Sequence, residues 1–200
     1  MHDHLDIHHH GQKIVVLWGF PGFGKTQLAL RYRNQNEKQY KCTMWADASS
    51  PGSMRDSFLA IAQEMDNTIT PISEERRVLP AVKRWVNKNT NGNWLLILDG
   101  YDNDSFDIRP FFPSQHTGRV IVTTVWSKIT IGLDAHGIEV QGIDKSAGAE
   151  LLSQKANIPA HKHCDDPSKT PPLLRTSANW LYVQSLILRR RSFEISKACH

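Results

Sequence analysis

Gly19-Phe20-Pro21-Gly22-Phe23-Gly24-Lys25-Thr26 fits the spacing G-x-x-x-x-G-K-[ST]. Glycines at this spacing let the backbone curl so that successive N–H groups face a phosphate, and a helix that follows brings its positive end to the same point. Lys25 would then reach the β- and γ-phosphates of a nucleotide, and the Thr26 hydroxyl would ligate Mg²⁺. A second oxygen donor stands far downstream. Asp99 ends the apolar run Trp94-Leu-Leu-Ile-Leu98, where a carboxylate can hold Mg²⁺ through water opposite Thr26. The bland alternative is a solvated turn aspartate, since Asp99-Gly100 is a common turn dipeptide.

These groups meet only if the chain folds so that the glycine loop and Asp99 share one edge. Lys13 to Trp18 is a short β-branched run that stops at the glycines, and Lys25 to Asn34 follows with helix formers. Such strand, loop, helix order is the setting the motif requires. Thr43 to Asp47, Trp94 to Leu98, Arg119 to Thr124 and Ile138 to Gln141 read as further strands. Helices are expected at Ser53 to Met65, capped by Ser53, at Pro80 to Asn87, with Pro80 in the first turn, and at Lys145 to Ala156. Five strands alternating with helices, the central ones continuously apolar, predict an α/β fold with helices on both faces of a sheet. Right-handed crossovers put the carboxyl ends of parallel strands on one edge, and ligands there.

The whole chain of 200 residues carries a net charge of +4. Residues 1–158 hold 17 basic and 17 acidic residues, and residues 159–200 hold 7 and 3. A basic balance confined to one tail is weak evidence for a nucleic-acid surface and none for a nucleic-acid domain, so nucleic acid is not the expected partner. Three cysteines without paired spacing give no disulfide framework and favour a reducing compartment. The amino terminus lacks the basic start and apolar stretch of a secretion signal. Apolar runs of five residues fall far short of the ~20 that a membrane helix needs. The expectation is a cytoplasmic chain without a membrane partner. Residues 1–11, rich in histidine, read as a disordered lead-in, and residues 159–200 as an irregular or partly helical tail.

Residues 19–30 resemble the phosphate loop of NB-ARC domains, the ATP/ADP switch of NOD-like receptors in the STAND class. The resemblance runs on through Met44 to Ser50, Trp94 to Asp102, Gly118 to Thr124, and Ile138 to Asp144 with the helix from Ala147 to Ala156. It spans residues 12–158 and is closest in flavour to fungal members. It implies a three-layer P-loop NTPase fold with a five-stranded parallel sheet, strand 119–124 lying between strands 13–18 and 94–99. It also implies bound ADP exchanged for ATP, and partners among the other domains or subunits of a receptor assembly. By the same resemblance Gly22, Gly24, Lys25, Thr26 and Gln27 contact phosphates, Asp99 serves Mg²⁺, and Thr124 is a sensor of the γ-phosphate.

The departures bear on turnover. Gly100 stands where the family carries a second acid or an asparagine, Asp102 is the nearest substitute as a catalytic residue, and Val125 replaces an arginine. Without a positioned base and a nearby cation, hydrolysis loses groups that orient water and neutralise charge. The family's helical subdomain and winged helix are not recognisable after residue 158, so the expectation is a truncated or misassembled member. The leading reading is an adenine-nucleotide-binding module with weak or no hydrolysis in isolation. The alternatives are a P-loop enzyme that hydrolyses ATP and a fragment without function. Asn87-Lys-Asn-Thr90 lacks the aspartate of a guanine-specific loop. His161, His163, Cys164, Cys199 and His200 are zinc ligands by type, but without paired spacing. Arg189 to Arg191 reads as a solvated helix end. Trp45, Trp85, Trp94 and Trp126 read as core or layer packing.

Overall fold

The computed structural model describes residues 13–66, 69, 75–88, 93–103, 106–113 and 118–142. The expected lead-in, the helix at 145–156, the tail at 159–200 and its histidines, cysteines and arginines lie outside them. The described residues fall into two units, 13–19 with 24–140, and 20–23 with 141–142.

In the first unit five strands form one parallel sheet. They are β1 (Lys13–Trp18), β2 (Cys42–Asp47), β3 (Trp94–Asp99), β4 (Arg119–Thr124) and β5 (His136–Glu139). Their spatial order is β2-β3-β4-β1-β5, so β4 lies between β1 and β3 as expected. The helices are α1 (Lys25–Gln35), α2 (Pro51–Met65), α3 (Glu75–Lys88) and the single turn α4 (Ile129–Gly132).

Alternation along the strands sorts the core into two layers. Val16, Met44, Leu96, Leu98, Val120 and Val122 pack with Met54, Phe58 and Ile61 of α2 and Val78, Val82 and Val86 of α3. On the opposite face Val15, Leu17, Leu95, Ile97 and Ile121 pack with Ala29 and Tyr32 of α1. Both faces are covered, which is why the strands read as unbroken apolar runs. Leu95, Leu96, Ile97 and Leu98 expose nothing, and burial of each contributes about 2 kcal/mol.

Three local expectations need correction. The cap of α2 is Ser50, whose Oγ accepts from the Ser53 N–H at 3.0 Å, and Pro51 occupies the first turn. Pro suits that turn because the N–H it lacks would have no helical partner there. Pro80 lies inside α3 rather than at its start. An interior proline costs about 3 kcal/mol, which burial of Val78, Val82 and Val86 at four-residue spacing offsets. Finally, β5 begins two residues before the expected Ile138, with Val15 opposite His136 and Trp18 opposite Glu139. It is an exposed edge strand, so its start is set by main-chain pairing and not by apolar side chains.

Candidate functional site

The carboxyl ends of β1, β3 and β4 and the start of α1 converge at one edge of the sheet. Strand β1 hands over to Gly19, and α1 begins after Gly24. The backbone takes positive φ at Gly19, Gly22 and Gly24, by 152°, 82° and 88°. Gly24 is the N-cap of α1 in left-handed conformation, with no side chain capping the helix and no acid in its first turn. A Cβ at Gly24 would meet nothing within 4 Å, so the conformation alone calls for glycine there. The helix start therefore keeps its positive end for an anion. In the second unit, Phe20 and Phe23 hold their rings edge-on at 5.6 Å, and Phe20 is 72% exposed.

Lys25 folds back on the loop, its Nζ donating to the Gly19 carbonyl at 2.8 Å. Burial holds this ammonium below its ordinary range, while the charges of Asp102 and Asp99 act in the opposite sense. Thr26 donates through Oγ1 to Asp99 Oδ1 at 2.7 Å. The glycine loop and the distant aspartate thus meet.

Asp99 is held from a second side. Thr123 Oγ1 donates to the same Oδ1 at 2.6 Å and accepts from the Gly100 N–H at 2.8 Å. Burial pushes the Asp99 carboxyl above its ordinary range. The hydrogen bonds from Thr123 and Thr26 pull it down, and the charges of Asp47 and Asp102 push it up. A hydroxyl and a carboxylate are hard oxygen donors of the kind Mg²⁺ takes, and the neighbouring carboxylates favour a cation. The residues present fit the metal: Thr26 and Asp99 would hold it.

The sequence did not single out Thr123, and it placed Trp126 differently. Thr123, not Thr124, lies on the α1 face with Asp99. Alternation turns Thr124 to the other face, where its Oγ1 accepts from the Trp126 N–H at 3.1 Å. The signal was available, because Thr123 shares parity with Ile121, Asp99 with Ile97, and both apolar residues face α1. Gly100 has φ of 77°, a conformation strained for any side chain, so an acid or asparagine after Asp99 would not sit easily here. Asp102 lies on the loop beyond and accepts through Oδ1 from the Val125 N–H at 2.7 Å. Trp126 is not packed into a layer as expected. It is 46% exposed, donates through Nε1 to the Asp102 carbonyl at 3.1 Å, and lies under the Lys128 ammonium, 5.3 Å from the ring centroid.

Among the described residues no group of three or more His, Cys, Asp or Glu is placed to hold a metal ion. No helix among them is long and apolar enough to cross a membrane.

The family model of the AAA domain matches residues 7–117, more than half of the chain. Among curated proteins none matches. Cdc6p from Pyrobaculum aerophilum is similar in structure, with a TM-score of 0.54 and 13% identity over 74% of this chain and 44% of that one. The Orc1 protein of Aeropyrum pernix, solved in complex with DNA, has a TM-score of 0.54 and 14% identity over 92% and 57%. A STAND protein with a tetratricopeptide repeat sensor from Pyrococcus horikoshii has a TM-score of 0.46 and 13% identity over 89% and 26%. Against Cdc6p and Orc1 the likeness is one of fold, the α/β P-loop NTPase fold. The chain spans about half the length or less of Cdc6p and the STAND protein, and 57% of Orc1. With Orc1 solved on DNA, the expectation against a nucleic-acid partner finds no support in these likenesses.

Proposed function

The chain belongs to the AAA-domain family of P-loop nucleotide-binding proteins, and from that premise we propose that residues 12–158 form an adenine-nucleotide-binding switch module of NB-ARC type. It binds ADP or ATP with Mg²⁺ and turns ATP over weakly or not at all. The observation that carries this reading is the contact of Thr26 Oγ1 with Asp99 Oδ1 at 2.7 Å, directly after a glycine loop at an uncapped helix start. Residues 19–24, Lys25 and Gln27 take the phosphates in this reading, and Thr26 and Asp99 hold the metal, which when bound neutralises phosphate charge. Adenine as the base, and other domains or subunits of a receptor assembly as partners, rest on the resemblance of the four motifs to NB-ARC domains.

Weak turnover has its own support. The Asp102 carboxylate is engaged by the Val125 N–H, and Val125 itself supplies no cation. In this reading neither position 102 nor position 125 supplies the free base or the arginine that fast turnover uses. The hydrogen bond of Thr123 to Asp99 makes Thr123 a better candidate than Thr124 for reporting the state of the metal corner.

The test measures binding and turnover on the same preparation. Equilibrium dialysis with labelled ADP and ATP in Mg²⁺ should show uptake that a GTP competitor does not displace. Phosphate release should run at about 10⁻³ per second or below, the range of P-loop proteins without a supplied arginine. Turnover well above that, lost in Asp99→Ala, would make the protein an ATPase instead. No uptake of either nucleotide would contradict the reading.

A further inference from the structure

The loops after β3 and β4 are joined by hydrogen bonds that take no part in holding nucleotide or metal in the reading above. Asp102 donates its N–H to the Gly100 carbonyl at 2.8 Å. Its carboxylate accepts from the Val125 N–H at 2.7 Å, and its own carbonyl accepts from the Trp126 indole at 3.1 Å. Gly100 is tied in turn to Thr123, and Thr123 to Asp99. A continuous set of bonds thus runs from the buried metal carboxylate to a half-exposed tryptophan. The charge of Asp102 also acts on the Lys25 ammonium.

We propose that Asp102 is a positioning residue which clasps the loop after β3 to the loop after β4, and that this clasp relays occupancy of the Lys25 and Asp99 corner to Trp126 at the surface. The relay rests on the nucleotide reading above; the clasp does not. The charge change is local. A phosphate that takes up the Lys25 ammonium brings negative charge toward the Asp102 carboxylate, which already acts on that ammonium. The aspartate is then held by the Val125 N–H, and any shift of its main chain moves the carbonyl on which the indole rests. A switch built this way needs a charge event at one end and a segment with two arrangements at the other. Trp126 qualifies as the far end because its ring is partly in solvent, with one polar anchor and one cation over its face.

Two readouts on the full chain test this. The first needs no nucleotide. The Val125 amide should exchange with solvent about tenfold faster in Asp102→Ala than in wild type, the factor expected for loss of one charge-assisted hydrogen bond. Asp102→Asn keeps an acceptor oxygen and should restore slow exchange. Equal exchange in wild type and Asp102→Ala overturns the clasp. The second is the change in indole emission at saturating Mg²⁺-ATP, assigned to Trp126 by its loss in Trp126→Phe. Asp102→Ala should lose more than half of that change and Asp102→Asn should keep it, which a merely structural role would not produce at saturation. Full retention in Asp102→Ala overturns the relay. A wild type that takes up no ATP in dialysis overturns the nucleotide reading and the relay together, while amide exchange still decides the clasp.

Discussion

At the amino end of the sheet Tyr32 and Tyr40 share a hydrogen bond of 2.6 Å, and Arg119, 2% exposed, bonds the Gly118 carbonyl. At the carboxyl end Asp99 takes hydroxyls from Thr26 and Thr123 beside Lys25. Both ends bury polar groups and pair most of them, as burial demands; at the amino end the Trp94 indole nitrogen is buried without a partner. They differ in what is left over. The Tyr pair is neutral and closed, and burial with the Tyr32 bond pushes the Tyr40 hydroxyl well above its ordinary range. The carboxyl end holds one carboxylate of raised proton affinity, Asp99, an ammonium of lowered proton affinity and an uncapped helix start. Burial of charge there is a cost that packing alone does not explain, and a phosphate with its cation would relieve it. The proposed ligand site accounts for that difference.

Substitutions should separate the two ends. The largest stability effect is expected at the amino end. A Cβ on Gly118 would overlap the indole ring of Trp94, so Gly118→Ala should lower unfolding free energy by about 3 kcal/mol, near the top of the overpacking range. Nucleotide affinity of the folded fraction should be unchanged, and denaturant unfolding beside dialysis checks both. Next is Thr123→Val, which keeps the shape and removes two hydrogen bonds. It should cost about 2 kcal/mol and also weaken Mg²⁺-nucleotide binding. If it changed stability alone, the carboxyl end would be mere packing and the contrast would fail. Tyr40→Phe leaves the buried Tyr32 hydroxyl without its Tyr40 partner and should cost about 1 kcal/mol, with no effect on binding.

The smallest stability effect carries the sharpest sign. Burial raises the Asp99 pKa above its unfolded value, so in that window the folded state binds more protons than the unfolded one. Stability then falls as pH rises through the folded pKa, and the penalty is fully present above it. Asp99→Asn keeps an acceptor for Thr26 and Thr123 and removes the charge. It should raise the melting temperature of the nucleotide-free protein at pH 7, with a gain that shrinks on acidification, while Mg²⁺-dependent binding is lost. A drop in melting temperature would mean that the Asp99 charge stabilises the fold.

Much of this was legible in the residues. Unbroken runs such as Trp94 to Leu98 and Arg119 to Thr124 gave the central strands, because a parallel sheet covered on both faces needs little else. The glycine loop and Asp99 were readable because their chemistry demands fixed residue types. What escaped depended on contacts between segments. The start of β5 is set by pairing with β1, and the extension of α3 past Pro80 by packing of Val78. Trp126 looks like core by type, yet its position follows from one bond to Asp102. Choosing Thr123 over Thr124 needed the parity of β4 matched to that of β3, which a single run does not show. The role of Asp102 depended on an amide 23 residues away.

Whether the Lys25 corner binds adenine nucleotide is decided by thermal unfolding with and without Mg²⁺-ADP and Mg²⁺-ATP. Nucleotide at about 100 times its dissociation constant should stabilise the wild type by about 2.7 kcal/mol. Lys25→Ala should unfold cooperatively with no such shift. A well-folded wild type that either nucleotide leaves unmoved, or a shift that survives in Lys25→Ala, would contradict the account.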